Sequence, residues 1–386
     1  MPLTVLSDEQ VAGLLENLTL DEYDALKTTI ARALHSYSNN ASTYDDGHQP
    51  ERVAMKNHET GATTLFMPSC SPIAMGCKVV TLSAGTDTKP PIQPTGAVTL
   101  LSPLGQPTGF IHARNLTAFR TALASSCLLS KRASVKTITA FGSGLQTYWH
   151  VRLALLSRGS SIKHVNIIAR SFSENARTIL RRFHAVPAAA KAREGWAATT
   201  FGVLTPGYGE YARLAREQVA DADVVFCCVP SREPLFEADL LTSHEGRRKG
   251  RLVVAVGGAA PGTRELPREL LLQAVKREGS HLHFHKHAPD GGAVVVDTIE
   301  GVLKDSGEIV EAGLKPSQLV ELGELVELHR QSEGDESKKD KKLATWLSEG
   351  TVIYKSVGLG LMDLAVGSHL IELAASKGVG TVIPAF

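Results

Sequence analysis

The feature that most constrains the fold is a regular alternation of short apolar runs and helix-length stretches after Ser134. The apolar runs are Thr137–Phe141, Val165–Ala169, Val224–Val229, Leu252–Val256 and Ala293–Asp297. Continuously apolar runs are typical of strands in a parallel sheet whose two faces are both covered. The alternation with helices therefore predicts a doubly wound α/β domain of the Rossmann type.

The N-terminal third has a different pattern. Ser7 with Gln10 and Thr19 with Glu22 have the spacing of capping boxes, which predicts two helices at the start of the chain. Short strands broken by Gly and Pro follow at Val53–Lys56, Thr63–Met67, Lys78–Leu82 and Ala97–Leu101, and then a helix at Thr117–Lys131. Helical periodicity returns in residues 342–386, which we expect to pack on the first domain. We predict one domain from residues 1–120 and 315–386, and a second from residues 121–314.

Composition excludes several classes of protein. The 386 residues include 41 Lys and Arg against 40 Asp and Glu, so no broad basic field attracts nucleic acid. No apolar run approaches the ~18 residues that predict a membrane span. The first ten residues lack the basic start and apolar run of a signal peptide, and the five cysteines are too irregularly spaced for a disulfide framework or zinc site. These observations favour a cytoplasmic protein.

A glycine-rich turn marks a candidate cofactor site. The strand Thr137–Phe141 runs into Gly142-x-Gly144, and Leu145 and Gln146 open the next helix. Gly142 permits a tight turn, Gly144 lets backbone approach a pyrophosphate, and the helix N-terminus offers free N–H groups to that anion. The fingerprint is incomplete because Thr147 replaces its last Gly or Ala. Its place between a strand and a helix still predicts dinucleotide binding.

The end of the next strand bears on which dinucleotide binds. An NAD site usually carries Asp or Glu here to accept from the ribose 2′-hydroxyl. This chain has Arg170 and Ser171 instead, a cation and a hydroxyl that suit a 2′-phosphate. We therefore expect NADP(H) to be preferred over NAD(H).

Six segments in the same order resemble the ornithine cyclodeaminase/μ-crystallin family along most of the chain. They are Phe66-Met-Pro68, Gly76-Cys-Lys78-Val-Val80, Thr117-Ala-Phe-Arg120-Thr-Ala122, Phe141-Gly-Ser-Gly-Leu-Gln146, Ala255-Val-Gly-Gly-Ala-Ala-Pro-Gly-Thr-Arg-Glu-Leu266 and Tyr354-Lys-Ser-Val-Gly358 with Asp363. The resemblance implies a homodimer in which residues 1–120 and 315–386 form an α+β substrate-binding and dimerisation domain. Residues 121–314 would form the Rossmann-type NADP(H)-binding domain.

The same resemblance implies roles for individual residues. A carboxylate-binding trio falls on Arg52, Lys78 and Arg120, with Lys78 the catalytic residue, and Val357 falls where the family lines the substrate pocket. Family cofactor contacts fall on Thr95, Arg120, Gly142, Gly144, Leu145, Gln146, Arg170, Ser171, Val256 and Ser356. Thr263 stands where cyclodeaminases have a lysine that contacts the dinucleotide.

At two positions the chain lacks residues that the cyclodeaminases of this family use for catalysis. Cyclodeaminases carry an Asp in Gly-Gly-Asp-Cys-Pro-Gly and a Glu before the Met-Pro pair, and here these positions are Ala259 and Leu65. Neither side chain can pair with a substrate ammonium or carry a proton. Cyclodeamination of ornithine is therefore disfavoured.

The remaining set predicts a reductase. A carboxylate clamp, Lys78 and a nicotinamide site suffice for hydride transfer between NADPH and a C=N carbon beside a carboxylate, which is ketimine reductase chemistry. The substrate would be a small imino or amino acid whose side chain the sequence does not specify. Two alternatives are an ammonia-releasing cyclodeaminase acting on another diamino acid and a non-catalytic NADPH-binding protein.

Three further polar features are interpreted as structural. The alternating His281, His283, His285 and His287 resemble a polar edge or loop, since no Cys or carboxylate stands at a helpful metal-ligand spacing. We expect Asp297 to order a loop. We expect Asp363 to cap a helix or to pair within the first domain.

Overall fold

The computed structural model describes residues 2–39, 49–82, 94–258, 260–276, 293–331 and 338–386. The chain divides into two compact units, the first formed by Met1–Arg120 with Gly358–Phe386 and the second by Thr121–Val357. The first division falls inside one helix. Strands and helices are numbered below in chain order.

The first unit is built on a sheet with the strand order β15-β1-β6-β5-β4-β3-β2. Its strands are β1 (Leu3–Leu6), β2 (Val53–Lys56), β3 (Thr63–Ser71), β4 (Ala74–Leu82), β5 (Thr95–Leu101), β6 (Pro107–His112) and β15 (Thr381–Ile383). Its helices are α1 (Asp8–Glu16), α2 (Leu20–Asn39) and α15 (Gly360–Ser376), and α3 (Ala113–Leu129) contains the division between the units.

Both predicted capping boxes are present in the first unit. Ser7 and Gln10 exchange side-chain and backbone hydrogen bonds at the start of α1. Thr19 and Glu22 do the same at the start of α2, with distances of 2.8 and 3.1 Å. Each box satisfies amide groups that the first helical turn leaves without partners.

The two faces of this sheet differ in burial. Helix α15 packs along β3, β4, β5 and β6, and Leu100 and Ile111 are buried on this side. Gly109 belongs to the same face, where a Cβ would lie 2.9 Å from Ile371. The opposite face carries Phe66, Val79 and Ala97, which are only half-buried, and Phe110, which is 45% exposed.

The second unit contains a sheet with the order β13-β12-β14-β11-β10-β7-β8-β9, in which every strand pair is parallel. The strands are β7 (Thr137–Phe141), β8 (His164–Ile168), β9 (Thr200–Leu204), β10 (Val224–Cys227), β11 (Leu252–Ala255), β12 (Val294–Val296), β13 (Leu319–Glu321) and β14 (Val352–Lys355). From β9 to β14 the order is the 3-2-1-4-5-6 of a dinucleotide-binding fold. The Rossmann prediction is therefore confirmed.

Helices connect these strands. They are α4 (Leu145–Arg158), α5 (Glu174–Ala185), α6 (Ala188–Arg193), α7 (Tyr211–Asp221), α8 (Asp239–Thr242), α9 (His244–Arg248), α10 (Arg268–Ala274), α11 (Ile299–Asp305), α12 (Gly307–Ala312), α13 (Leu322–Gln331) and α14 (Lys338–Glu349). Val225, Val253 and Val294 are fully buried in the core, as expected for a sheet covered on both faces.

The second division between the units lies later than the sequence pattern indicates. We expected the chain to return to the first domain at residue 315, but it does so at Gly358. The reason is that β13 and β14 pair in the second sheet, with β14 between β11 and β12. Helix α14 and strand β14 thus belong to the second unit.

Candidate active site

Two buried cations of the first unit share one carboxylate. Lys78 lies on β4 and is 3% exposed, and Arg120 lies on α3 and is 4% exposed. The Lys78 Nζ donates to Asp363 Oδ2 at 2.6 Å, and the Arg120 Nε donates to Asp363 Oδ1 at 3.3 Å. Asp363 belongs to the first turn of α15 and is fully buried. The structure thus brings together two members of the predicted trio.

The pKa of Lys78 also responds to the third member of the trio, Arg52. Burial lowers the pKa of the Lys78 ammonium to about 8, against the opposing effect of Asp363. The charges of Arg120 and Arg52 also lower it, so Arg52 lies within electrostatic reach of Lys78. Two cations therefore share a single carboxylate, a third acts on Lys78 through its charge, and the pKa of Lys78 lies close to physiological pH.

A glycine is required beside Arg120. Gly358 has a φ of +85°, a backbone conformation that residues with a Cβ rarely adopt. A Cβ at this position would lie 3.0 Å from Arg120 Nη2. The Arg120 Nη1 also contacts Met362 Sδ at 3.2 Å. The Gly in the Lys-Ser-Val-Gly segment therefore makes room for the guanidinium.

Gln49 fixes the segment that leads to Arg52. Its Nε2 donates to the Pro68 carbonyl of β3 at 2.9 Å, and its Oε1 accepts from the Leu361 amide of α15 at 2.7 Å. One side chain thus links the approach to Arg52 with β3 and with the helix that carries Asp363. Sequence reasoning missed Gln49, since no local pattern marks it.

Leu65 shares a sheet face with Lys78. Leu65 pairs with Val80, and Met67 pairs with Lys78, so these four side chains project from the same side of β3 and β4. The position that holds a glutamate in cyclodeaminases is thus apolar beside the lysine. Ala259, the other departure, lies outside the described residues.

The glycine turn of the second unit has the geometry that a dinucleotide needs. Gly142 has a φ of +105°, and a Cβ there would lie 2.6 Å from Val229 Cγ1. Gly144 is the N-cap of α4, and a Cβ there would meet nothing within 4 Å, so the approach to the helix N-terminus is open. Gln146 Oε1 is buried without a hydrogen-bond partner among the described residues. An anion cradle at a helix N-terminus fits these observations.

Arg170 and Ser171 follow β8 directly and are exposed. Exposed Phe172 comes next, and the Arg177 guanidinium lies 5.5 Å from the centre of its ring. The Arg177 guanidinium also pairs with Glu174 at 3.4 Å. This strand end therefore presents the guanidinium of Arg170 and the hydroxyl of Ser171.

Asp297 orders the loop after β14. Its carboxylate accepts from Ser356 Oγ at 2.7 Å, from the Val357 amide at 3.1 Å and from the Thr298 amide at 3.0 Å. Asp297 is fully buried, and Ser356 and Val357 are buried with it. The role expected for Asp297 is therefore confirmed. The hydroxyl of Ser356 already has a partner within the loop.

Two other predicted cofactor residues, Val256 and Thr95, lie at strand ends, and Thr263 lies in a loop. Val256 follows β11, and its amide donates to the Cys227 carbonyl at 2.9 Å. Exposed Thr95 begins β5 in the first unit. The Thr263 hydroxyl donates to the Ala260 carbonyl at 2.7 Å and so closes the turn of its own loop.

Two other expectations concern groups outside this site. Among the described residues, no cluster of His, Cys, Asp and Glu could hold a metal ion. The run His281–His287 is not among them. No helix in the described ranges combines the length and the apolar content needed to cross a bilayer.

Comparison with known proteins finds relatives that match most of the chain. The chain is 25% identical over 342 residues to a Delta(1)-pyrroline-2-carboxylate reductase from Bacillus cereus, covering 86% of this chain and 87% of that protein. It is 24% identical over 335 residues to the ketimine reductase mu-crystallin of Mus musculus, with 86% of each covered. No family profile matches the chain.

Along most of its length the chain is thus similar to members of the ornithine cyclodeaminase/μ-crystallin family. A solved structure of the Thermococcus litoralis Delta(1)-pyrroline-2-carboxylate reductase, in complex with NADH and L-proline, has the same fold. It superposes with a TM-score of 0.71 at 22% identity, covering 98% of this chain and all of that one. The relatives named here are oxidoreductases that act on C=N bonds.

Sequence reasoning did not anticipate the contacts of Asp363 in the candidate site. The residue was expected to cap or pair in the first domain, and it does pair there, but its partners are the two predicted substrate cations. A sequence signal exists, because Asp363 comes five residues after the Gly358 of a recognised segment. The contact with Lys78 is long-range and is created only by the fold.

Proposed function

We propose that the chain is an imine reductase that transfers a hydride from NADPH to a C=N carbon beside a carboxylate. The observation that carries this proposal is the charge imbalance at Asp363. Lys78 and Arg120 are both buried and both contact that single carboxylate, so two positive charges face one negative charge. Buried charge without a counter-ion is costly, so the site favours a ligand that brings a negative charge.

A carboxylate next to the reacting carbon fits this requirement. A guanidinium fork can bind a carboxylate through two parallel hydrogen bonds, which fixes its orientation as well as its position. Arg52 and Arg120 are the residues proposed to do this. Orientation of this kind is a large part of what an enzyme contributes to a hydride transfer.

Lys78 is proposed to supply the proton. When bound, the reduced nicotinamide supplies a hydride to the imine carbon. The imine nitrogen gains a proton in the same reaction, so C=N becomes CH–NH. A pKa of about 8 leaves the Lys78 Nζ protonated at neutral pH yet able to release the proton readily. Protonation of the imine nitrogen also makes its carbon a better hydride acceptor.

Leu65 favours an uncharged substrate side chain. It lies on the same face as Lys78, where a glutamate would be needed to pair with a distal ammonium. An ammonium facing leucine would be desolvated without a partner. We therefore propose cyclic imino acids such as pyrroline- or piperideine-2-carboxylate as substrates, and not diamino acids.

NADP(H) is proposed as the preferred dinucleotide. Exposed Arg170 and Ser171 replace the acidic residue that usually accepts from the ribose 2′-hydroxyl. A carboxylate there would repel a 2′-phosphate, whereas these side chains can bind it.

A homodimer is proposed because one sheet face of the first unit is partly uncovered. Phe66, Val79, Ala97 and Phe110 lie together on this face and remain partly exposed. Contiguous exposed apolar surface commonly marks an interface. A second copy of the chain would bury it.

The test is turnover with defined substrates. Purified protein should oxidise NADPH in the presence of pyrroline- or piperideine-2-carboxylate, and faster than it oxidises NADH. Arg52→Gln should raise the KM for the imino acid by about tenfold or more, the cost of a lost charge-assisted hydrogen bond, without changing NADPH affinity. Arg114→Gln is the matched control, since Arg114 is exposed on the same unit.

Other results would refute the proposal. Ammonia release from a diamino acid without net consumption of NADPH would identify a cyclodeaminase. Tight NADPH binding with no turnover over a panel of imino and keto acids would identify a binding protein.

A further inference from the structure

The second unit contains a buried ion cluster that the proposed reaction does not use. It consists of Lys355 at the end of β14, Glu308 on α12 and Glu265 in the segment before α10, and all three are at most 2% exposed. The Lys355 Nζ lies 2.8 Å from Glu308 Oε1 and 3.5 Å from Glu265 Oε2. The amide of Glu265 donates to Glu308 Oε2 at 2.8 Å.

Glu265 joins the ends of two neighbouring strands. Its Oε1 accepts from the Val229 amide, just after β10, at 3.1 Å. Its Oε2 accepts from the amides of Gly257 and Gly258, just after β11, at 2.8 and 3.1 Å. Lys355 adds the end of β14 by donating to the Gly258 carbonyl at 2.7 Å. The cluster thus fixes three consecutive strand ends.

The backbones held by Glu265 approach each other very closely. A Cβ on Gly257 would lie 2.1 Å from the Val229 nitrogen, so only glycine fits. Burial raises the pKa of the Glu265 carboxyl to about 7 even though Lys355 acts against this. Keeping such a carboxylate in the interior has a cost, which requires well-placed hydrogen-bond donors to offset it.

The position of the cluster in the sheet indicates which part of a dinucleotide it would serve. In a fold of this order, one mononucleotide half binds each end of the dinucleotide across the point where the strand order reverses. The glycine turn and Arg170 belong to the half formed by β7, β8 and β9. The cluster belongs to the other half, formed by β10, β11 and β14.

We propose that Glu265, oriented by Lys355, is a positioning residue that preorganises the Val229 and Gly257–Gly258 loops to bind the nicotinamide half of the dinucleotide. This inference rests on the proposed function, in that the chain must bind a nicotinamide dinucleotide. Loops that are already ordered lose less conformational freedom on binding, so less of the interaction energy is spent on ordering them. The adenosine half, held by the other strands, does not depend on Glu265.

The test compares a whole dinucleotide with its adenosine half. Glu265→Gln keeps the shape of the side chain but turns one oxygen into an NH2 group, which then faces either the Val229 amide or the two glycine amides. The matched control is Glu308→Gln, which makes the same change in the same cluster without touching either loop. Dissociation constants are measured by titration calorimetry for NADPH and for adenosine 2′,5′-bisphosphate, with NADH and AMP in parallel.

We expect Glu265→Gln to weaken NADPH binding by about tenfold, equivalent to ~1.4 kcal/mol, and to change the binding of adenosine 2′,5′-bisphosphate by less than about twofold. Glu308→Gln should change NADPH binding much less. Equal losses for both ligands would show a purely structural role and overturn the inference, as would unchanged NADPH binding. Failure of the wild-type protein to bind NADPH or NADH would instead refute the proposed function.

A measurement on the wild-type protein covers the case in which Glu265→Gln does not fold. In hydrogen exchange, the amides of Val229, Gly257 and Gly258 should be protected to the same degree with and without NADPH. Rapid exchange of these amides in the nucleotide-free protein would show that the loops are not preorganised, and the inference would fall.

Discussion

Substituting Asp363 by Asn tests the proposed role of Lys78 as proton donor, because Asp363 opposes the fall in the pKa of Lys78. Burial and the charges of Arg120 and Arg52 lower this pKa to about 8, while Asp363 raises it by its charge and its hydrogen bond. Asp363→Asn removes only the raising effect. A hydrogen bond to a charged group contributes ~1.5–3 kcal/mol and one pKa unit is 1.36 kcal/mol, so the pKa should fall by about 1–2 units.

The assay is the pH profile of kcat/KM for imine reduction, whose limbs report groups of the free enzyme. In the wild-type protein the rate should fall above a pH of about 8, as Lys78 loses its proton. In Asp363→Asn the same limb should lie about 1–2 units lower. The control is Glu22→Gln, which also removes a carboxylate from the first unit but pairs with Lys377, not with Lys78.

Two results would refute this reasoning. If the basic limb stays in place in Asp363→Asn, Lys78 is not the group that titrates. If the limb moves upward, the charge of Asp363 does not act on Lys78 as the geometry requires. Circular dichroism at each pH separates either result from unfolding, since removing the counter-ion from two buried cations should cost about 3–5 kcal/mol of stability.

Three further predictions follow from the same structure. The pKa of Lys78 falls from 10.5 in the unfolded chain to about 8 in the folded chain. The free energy of unfolding should therefore rise by ~3 kcal/mol between pH 8 and 10.5. Urea denaturation should show this rise in the wild type and not in Lys78→Met. Arg170→Ala should weaken NADPH binding by about tenfold and leave NADH binding unchanged, as measured by fluorescence titration. Equal effects on both dinucleotides would refute the proposed contact between Arg170 and the 2′-phosphate. Phe110→Asp should convert a dimer into monomers in sedimentation velocity, and an unchanged sedimentation coefficient would place the interface elsewhere.

Much of the fold could be predicted from local patterns. The strand at Thr137–Phe141 has the predicted ends, and both N-terminal helices begin at their capping boxes. These elements are specified by residues close together in sequence, namely a continuous apolar run or a cap three residues from its partner. Such elements can be predicted without knowing which distant residues they contact.

The missed elements are those that depend on distant partners. Strand β14 is only four residues long and was grouped with the helices that flank it, because its partners β11 and β12 lie far away in sequence. Strand β15 is equally short and pairs with β1 at the opposite end of the chain. A short run gives weak periodicity, and tertiary pairing then decides the structure.

The candidate site shows the same limit. Family motifs indicated Arg52, Lys78 and Arg120, but no motif gives the distance between the side chains. The shared contact with Asp363 depends on α15 packing beside β3 and β4. The sequence therefore does not indicate which residues pair with the Asp363 carboxylate, and it predicts only a structural role for that residue.

A balanced ion pair elsewhere in the chain shows why the imbalance at Asp363 points to a ligand. Arg152 donates to both oxygens of Glu194, at 2.7 and 2.9 Å, and both side chains are 4% exposed. There one buried guanidinium meets one carboxylate, and the Trp196 Nε1 adds a further donor. The second cation near Glu194, Arg193, is 70% exposed and lies 3.8 Å away, so solvent screens its charge. Evolution for stability alone favours such pairing or an apolar replacement. By contrast, in the part of the chain that the structure describes, Asp363 is the one carboxylate in contact with Lys78 and Arg120, and under the proposed function the substrate carboxylate would balance the remaining positive charge.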